Sequence, residues 1–355
     1  RNEIARLPDG AYNWVDHIEH DGNNDRHYRL EVTLRIEGSS ATADFTGTDP
    51  QAAGFINASY SNTRASTYAA FMLFLDPHIP HNHGFFRAID VTAPEGTVLN
   101  PRFPAPLTGS TTESGGRVYD LVLGALSKAD PDRGAGTWSM MWTAVMFYGR
   151  HPRNDKPFIH WTLDGIAAGG GGSAGSDGWN ASNISSSNCL IPNIEEEEER
   201  YPVRYLQRTL LTDSGGAGQR RGGLVLETEV QVEVDCTTTV FGSRTEVPAP
   251  GFRGGKAGGL ARVAVKSSGA ENELPAKAVD VPVRAGDSVI LRGCGGGGYG
   301  NPKRRSRQLV RADLEDGYIS AEAATSLYGL STGDADAKPA KVPAKTTKAS
   351  RKGPR

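Results

Sequence analysis

The sequence predicts a mixed α+β protein, β-rich overall, with an N-terminal α/β half and a C-terminal half built as a β-sandwich or a barrel-like sheet. Three observations predict it. Residues 28–46 alternate apolar and polar, residues 58–75 and 117–128 space their apolar side chains by three and four, and residues 203–289 hold short strand-like runs between Gly/Pro turns. The composition admits such a fold, because 37 % apolar residues plus 44 glycines in 355 lie within the globular range. The length is enough for more than one core.

In chain order, Leu30, Val32, Leu34 and Ile36 supply one face of a strand, and Gly38-Ser39-Ser40 turns it into a hairpin. A helix follows through Ala65, Tyr68, Ala69, Met72, Phe74 and Leu75 and stops at Asp76-Pro77. Short extended pieces at Ile89, Val91 and Val98-Leu99 lead to a second helix, Arg117 to Lys128, closed by Asp130-Pro131. The apolar run 137–148 is bounded by Gly136 and Gly149; it suits a strand buried on both faces, although periodicity does not separate it from a helix. A Gly/Ser region at 165–188 precedes strand candidates at 204–211, 224–234, 237–241, 260–265 and 288–291. A last short helix opens with Ser320 as N-cap and Glu322 in its first turn. The expected division is therefore 1–190 mixed α/β, 191–330 β-rich, and 331–355 a disordered basic tail.

Charge and cysteines narrow the function classes. Residues 331–355 carry seven Lys/Arg against Asp334 and Asp336, so within a net charge of −2 the remainder is acidic and has no electrostatic footprint for nucleic acid. The tail is too poor in apolar residues to order itself. Cys189, Cys236 and Cys294 are odd in number and lack C-x-x-C spacing, which points to a reducing cytoplasm rather than a disulfide framework. No apolar stretch reaches the length of a membrane span, and no secretory leader is visible; a start at Arg1 suggests a processed chain or a fragment.

Several clusters invite a functional reading. His78, His81 and His83 stand beside Asp76, but their spacing on a Pro-containing loop does not put three nitrogens on one face, so no metal is assigned there. Asp16, His17, Glu19, His20 and Asp21, just before Gly22, read as a turn. The glycine runs at 169–172 and 293–300 lack the Lys-Ser/Thr ending of a P-loop, and their alternatives are close backbone approach to a ligand or partner, or plain tight turns. In the acidic run 195–199, Glu195 and Glu198 would share one side of a helix, although a solvated face is the simpler reading. No serine elbow or Ser-His-Asp order is present.

Taken in order, the punctuating segments resemble the hydantoinase B / 5-oxoprolinase family, whose relatives include large subunits of ATP-dependent acetone and acetophenone carboxylases. The matching segments are Leu7-Pro-Asp-Gly-Ala-Tyr12, Asp44-Phe-Thr-Gly-Thr-Asp-Pro-Gln51 with Gly54 and Asn57, and Ile79-Pro-His-Asn82 with Gly84 and Arg87. They continue with Ala93-Pro-Glu-Gly-Thr-Val-Leu-Asn-Pro101, Ile194-Glu195 with Glu198 and Pro202, and Asp213-Ser-Gly-Gly-Ala-Gly218 leading to Arg221-Gly-Gly223. Gly295 to Gly300 with Asn301-Pro302 and Arg305, then Tyr328-Gly329, close the series. The chain departs from the family at His83 and Phe85-Phe86, and at Cys294, where a proline often precedes the glycines.

The resemblance implies the later part of a B-type subunit of an ATP-dependent hydrolase that opens 5-oxoproline or hydantoin-like rings. A partner A-type ATPase subunit would phosphorylate the carbonyl, using ATP and Mg, in a cytoplasmic hetero-oligomer. The alternatives are ketone carboxylation of the acetone type, or a non-catalytic assembly module for the ATPase subunit. The family's His/Asp metal site, for Zn or Mn, is expected in an N-terminal portion outside this chain, and no metal is expected within it. Substrate-binding candidates carried over by position are Asn82, Arg87, Glu195, Glu198, Asp213 and Asp44. Arg87 would suit a substrate carboxylate by bidentate pairing. The bland reading of Asp44 and Asp213 is turn capping, and that of Cys294 is a small buried hydrophobe.

Overall fold

A computed structural model of the chain describes residues 1–139, 143–182 and 189–331. The expected basic tail therefore lies outside the described residues, apart from Ser331.

The first layer is a four-stranded sheet in the order β1-β2-β3-β4, made of Gly10–Glu19, His27–Glu37, Ser40–Asp44 and Ile89–Thr92. The β2–β3 hairpin forms as the alternation predicts: Tyr28, Leu30, Val32, Leu34 and Ile36 are buried on one face. β1 pairs antiparallel along the whole of β2, with Trp14 opposite Val32, whereas β4 joins β3 in parallel. The parallel pairing needs a crossover, which carries α1 (Tyr60–Phe74) and the single turn α2 (His83–Phe86). Ser59 caps α1 by accepting from the Asn62 amide. A π turn at Ser110–Ser114 leads into α3 (Gly115–Ala129), which packs across β1 and β2 and against α1.

The second part is a sandwich, and none of its sheets closes into a barrel. One sheet runs β11-β10-β13-β8-β7 and the other β12-β9-β5-β6. β5 is Ala144–Arg150, β6 Pro157–Thr162, β7 Val203–Leu210, β8 Leu226–Val232 and β9 Cys236–Phe241. β10 is Arg262–Ser267, β11 Ala270–Glu273, β12 Lys277–Val283 and β13 Ser288–Arg292. Val145, Phe147 and Val240 from the second sheet meet Val230, Val263 and Leu291 from the first in one buried cluster. β5 and β6 precede residue 190 in sequence yet share a sheet with β9, which pairs with β5, so the sandwich draws strands from both expected regions. The apolar run 137–148 becomes strand only from Ala144; residues 140–142 lie outside the described set. The helices α4 (Ile194–Arg200), α5 (Arg307–Glu315) and α6 (Ala321–Ser326) complete the chain, the last capped by Ser320 as predicted.

The glycine runs are mostly not tight turns; they approach one another closely. Six consecutive amides of the segment 295–300 donate outward to six carbonyls on surrounding segments: those of Gly259, Gly223, Thr137, Lys256, Arg220 and Phe252, at 2.9 to 3.2 Å. The neighbours bond among themselves in the same way, as in Gly136 to Gly172 and Gly223 to Gly170. The result is a bundle of extended strands, each satisfied by several partners instead of one ladder. Room, not handedness, demands glycine at 295 to 298, whereas Gly300 is left-handed at φ +72°. A Cβ on Gly296 would stand 1.9 Å from the Gly170 carbonyl oxygen, and one on Gly295 1.7 Å from that of Ser214.

Candidate functional site

The bundle, the sandwich and the first layer meet at a seam of buried charge. Asp16 and Glu19, expected in a turn, lie on β1 with their side chains buried, because their partners wait on the other side of the seam. α3 contributes Arg117 and Asp120, three residues apart on one face. The loop after β9 contributes Ser243 and Arg244, and the start of β12 contributes Lys277.

Arg244 is fully buried and holds Asp16 through two nitrogens, at 2.7 and 3.1 Å, and Asp120 Oδ2 at 2.8 Å. Arg117 reaches Asp16 at 3.4 Å, Glu19 at 3.3 Å and the Ser243 hydroxyl at 3.0 Å. Glu19 also accepts the Val247 amide at 2.8 Å. Lys277 donates to the Glu19 and Gly242 carbonyls and pairs with Glu113 at 3.2 Å. Four carboxylates thus face three cations, and the surplus falls on Asp120. Burial raises the Asp120 carboxyl to about 7, helped by the nearby Asp16 charge and opposed by Arg244. Asp16 stays below the usual carboxylate range: burial works against it, but Arg244 and Arg117 outweigh burial. Among the described residues Asp120 Oδ1 has no hydrogen-bond partner.

Asp120 forms part of the wall of a cavity of about 200 Å³. Leu73 and Phe74 of α1 close one side, Leu123, Gly124 and Ser127 of α3 another, and the stretch 135–138 of the glycine bundle the third. An apolar cavity with few polar groups and one carboxyl titrating near neutrality has the character of a small-molecule site.

A second buried cluster lies under α4. Arg208 binds Asp164 through Nε at 2.9 Å and Nη2 at 3.2 Å, and His160 Nδ1 stands 2.9 Å from Glu197 Oε2. Burial pushes His160 down to about 4 and raises the Asp164 carboxyl; Glu197 is raised by burial and by the Asp164 charge. Of the five glutamates in the run, Glu197 is the buried one.

The six candidates from the sequence are not gathered together. Asn82 caps α2, accepting from the Gly84 amide, and Arg87 ends the same turn, exposed. Asn82 also lines a separate cavity of about 230 Å³ with Arg1 and Phe85. Glu195 is exposed on α4, and Glu198 accepts the Tyr205 amide at 2.7 Å. Asp44 on β3 accepts from the Thr46 amide and Arg35, and Asp213 accepts the Ser320 amide at 2.9 Å. Cys294 is buried with Ala249 and Ala261, its thiol raised by burial. Among the described residues no group of three or more His, Cys, Asp or Glu is placed to hold a metal ion, and His78, His81 and His83 are all exposed.

Arg117, Asp120, Arg244, Glu197 and His160 escaped the sequence reading. Only Arg117 and Asp120 carried a signal, as charges inside an otherwise apolar helical run.

The fold is a two-part α+β scaffold with a buried charged seam and a small cavity beside it. The chain belongs to the hydantoinase B/oxoprolinase family, whose family model matches residues 1–302. It is 30 % identical over 353 residues to a putative D-/L-hydantoinase of Pseudomonas sp. (strain NS671), in its B-type subunit, covering 95 % of this chain and 58 % of that protein. The crystal structure of the ATP-dependent caprolactamase from Pseudomonas jessenii superposes with a TM-score of 0.85 at 29 % identity, over 92 % of this chain and 58 % of that one. Nucleotide-free acetone carboxylase matches at TM-score 0.78 and 19 % identity over 92 % of this chain and 50 % of that one, a likeness of fold alone. The chain spans a little over half the length of the first curated relatives it matches. Among the described residues no helix is long and apolar enough to cross a membrane.

Proposed function

We propose that this chain is the later part of a cytoplasmic B-type subunit that opens a cyclic amide, a lactam or hydantoin-like ring, after an A-type partner phosphorylates the carbonyl oxygen with ATP and Mg. The observation that carries the reading is the likeness to the ATP-dependent caprolactamase across nearly the whole chain. The chemistry gives ATP a purpose. An amide carbonyl is resonance-stabilised, and transfer of the γ-phosphoryl group to its oxygen, with ADP leaving, makes the carbon electrophilic. Water then adds to that carbon, the ring C–N bond breaks with the amine as leaving group, and a second water hydrolyses the resulting acyl phosphate.

Within this reading the Asp120 cavity admits the ring. Its 200 Å³ equals roughly six or seven waters at about 30 Å³ each, the size of a small lactam. Asp120, near neutrality, would accept the proton of a water held there.

The test co-expresses the subunit carrying this chain with its A-type partner and follows ADP release against lactams, hydantoins and ketones, with and without bicarbonate. ADP release matched by ring-opened acid, independent of bicarbonate, is the expected result. Strict bicarbonate dependence with a new carboxylate on a ketone would overturn it.

A further inference from the structure

We propose that the cavity bordered by Arg253, Lys256, Lys303 and Arg304 binds an organic polyphosphate, at a site separate from the Asp120 cavity. This cavity measures about 810 Å³, and its lining contains four cations and no carboxylate. That contrasts with a chain whose net charge is −2 and whose part before the basic tail is acidic.

The local fold explains the concentration. Phe252 to Gly255 form a tight turn in which Arg253 (φ +51°) and Gly254 (φ +95°) are both left-handed and the Gly255 amide returns to the Phe252 carbonyl at 3.0 Å. This turn presents Arg253 and Lys256 on one wall. The other wall is the exit of the central glycine segment: Asn301 caps a 3-10 turn, Pro302–Arg304, by accepting the Lys303 amide. The three consecutive cations there divide their roles. Arg305 turns inward, where Asp177 binds it at 2.6 and 2.8 Å and Asp313 at 2.7 Å, so Lys303 and Arg304 remain on the cavity side.

Arg253 has only the exposed Asp132 as an acidic partner, at 3.2 Å, and neither Lys256, Lys303 nor Arg304 has a hydrogen-bonded or ion-paired side-chain partner among the described residues. Two pairs of cations on two walls suit two or more linked anionic groups better than a single carboxylate. The buried Tyr299 ring and Leu327 between them leave apolar surface for an attached organic moiety. The walls are preorganised, because both grow out of the glycine bundle, in which the Gly298 amide bonds Lys256 and the Gly300 amide bonds Phe252.

The experiment titrates the isolated chain with inorganic pyrophosphate and, separately, with ADP, by calorimetry at low salt. The same titrations are run on the triple variant Lys256→Gln, Lys303→Gln, Arg304→Gln, and on a control with Arg6→Gln, Lys156→Gln and Arg204→Gln, equal in charge change and remote in position. Saturable binding is expected, weakened at least tenfold in the cavity variant, within twofold of wild type in the control, and weakened severalfold by raising the salt, which screens exposed charges. Binding of both ligands would assign recognition to the phosphoryl groups, and tighter binding of ADP would add the nucleoside. Absence of saturable binding by either, or equal loss in the control, would overturn the proposal. No partner subunit or turnover enters the readout, so this result and the amide-hydrolase reading fail independently.

Discussion

Replacing Asp120 by asparagine should change the pH dependence of stability in a direction that only a buried, proton-holding carboxyl explains. In the fold the Asp120 carboxyl titrates near 7, against an ordinary value of 3.8. Between those values the folded chain keeps a proton that the unfolded chain has released, so the unfolded state binds fewer protons and stability falls as pH rises. Roughly three pH units at 1.36 kcal/mol each give a penalty of about 4 kcal/mol, absent below pH 4 and complete above pH 7. Asparagine keeps the shape and still accepts from Arg244, but carries no proton to lose. The stability of Asp120→Asn relative to wild type should therefore improve by about 2 to 4 kcal/mol between pH 4.5 and pH 8. Urea midpoints across that range, followed by tryptophan fluorescence, measure it: Trp14 packs against Gly124 on α3, and differencing against wild type cancels the other titrating groups. A midpoint difference independent of pH, or one in which Asp120→Asn loses stability relative to wild type as pH rises, would refute the assignment of the surplus charge to Asp120.

Arg244→Met leaves Asp120 without its cation and Asp16 with Arg117 alone at 3.4 Å, and should cost about 3 to 5 kcal/mol, read as a lowered urea midpoint or loss of soluble protein. Gly296→Ala should cost at least about 3 kcal/mol, since the new Cβ meets a fixed carbonyl oxygen, whereas Gly286→Ala, left-handed at φ +92° but facing open space, should cost only about 1; thermal melts of the two variants side by side decide this. Cys294 should resist a thiol reagent in the native protein and react on denaturation, which mass spectrometry of the labelled peptide will show.

What was legible in the sequence follows from which forces leave a local trace. The alternation through Leu30 to Ile36 and the three-and-four spacing in α3 are imprints of one buried face, and each reappears in the structure. In α1 the helix forms where the spacing placed it but buries Thr63, Ser66, Thr67, Ala70 and Phe71, leaving Ala65 exposed and Tyr68, Ala69, Met72 and Phe74 half-buried, because α3 and the loop before it meet its small polar side. The seam left no such trace. Asp16 finds Arg117 101 positions later and Arg244 228 positions later, so beside Gly22 it could only read as a turn residue. The acidic run was visible, but which glutamate turns inward depends on His160 and Asp164, supplied by β6 and the turn after it. The glycine bundle was visible only as composition: extended strands without side chains have no apolar period, and their partners are backbone groups that every residue carries.

The same bundle decides how the Asp120 cavity can work. The Gly136 amide bonds the Gly172 carbonyl at 2.8 Å, Thr137 donates to Pro250 and accepts from Gly297, and a Cβ on Gly136 would lie 2.2 Å from the Gly297 oxygen. That wall cannot retreat without breaking bonds on several strands at once. On the opposite side, Leu73 is half-exposed at the end of α1, and Arg133 lies over the Phe74 ring while pairing with Asp130 and Glu3 near the surface. The exposed side of the cavity is thus the end of α1 and Arg133, while the bundle and the Arg244 seam hold the Asp120 carboxyl in place. Under the amide-hydrolase proposal such a site would bind by preorganisation at its floor and adjustment at its mouth, with Leu73, Phe74 and Arg133 meeting the ring and Asp120 the reacting water.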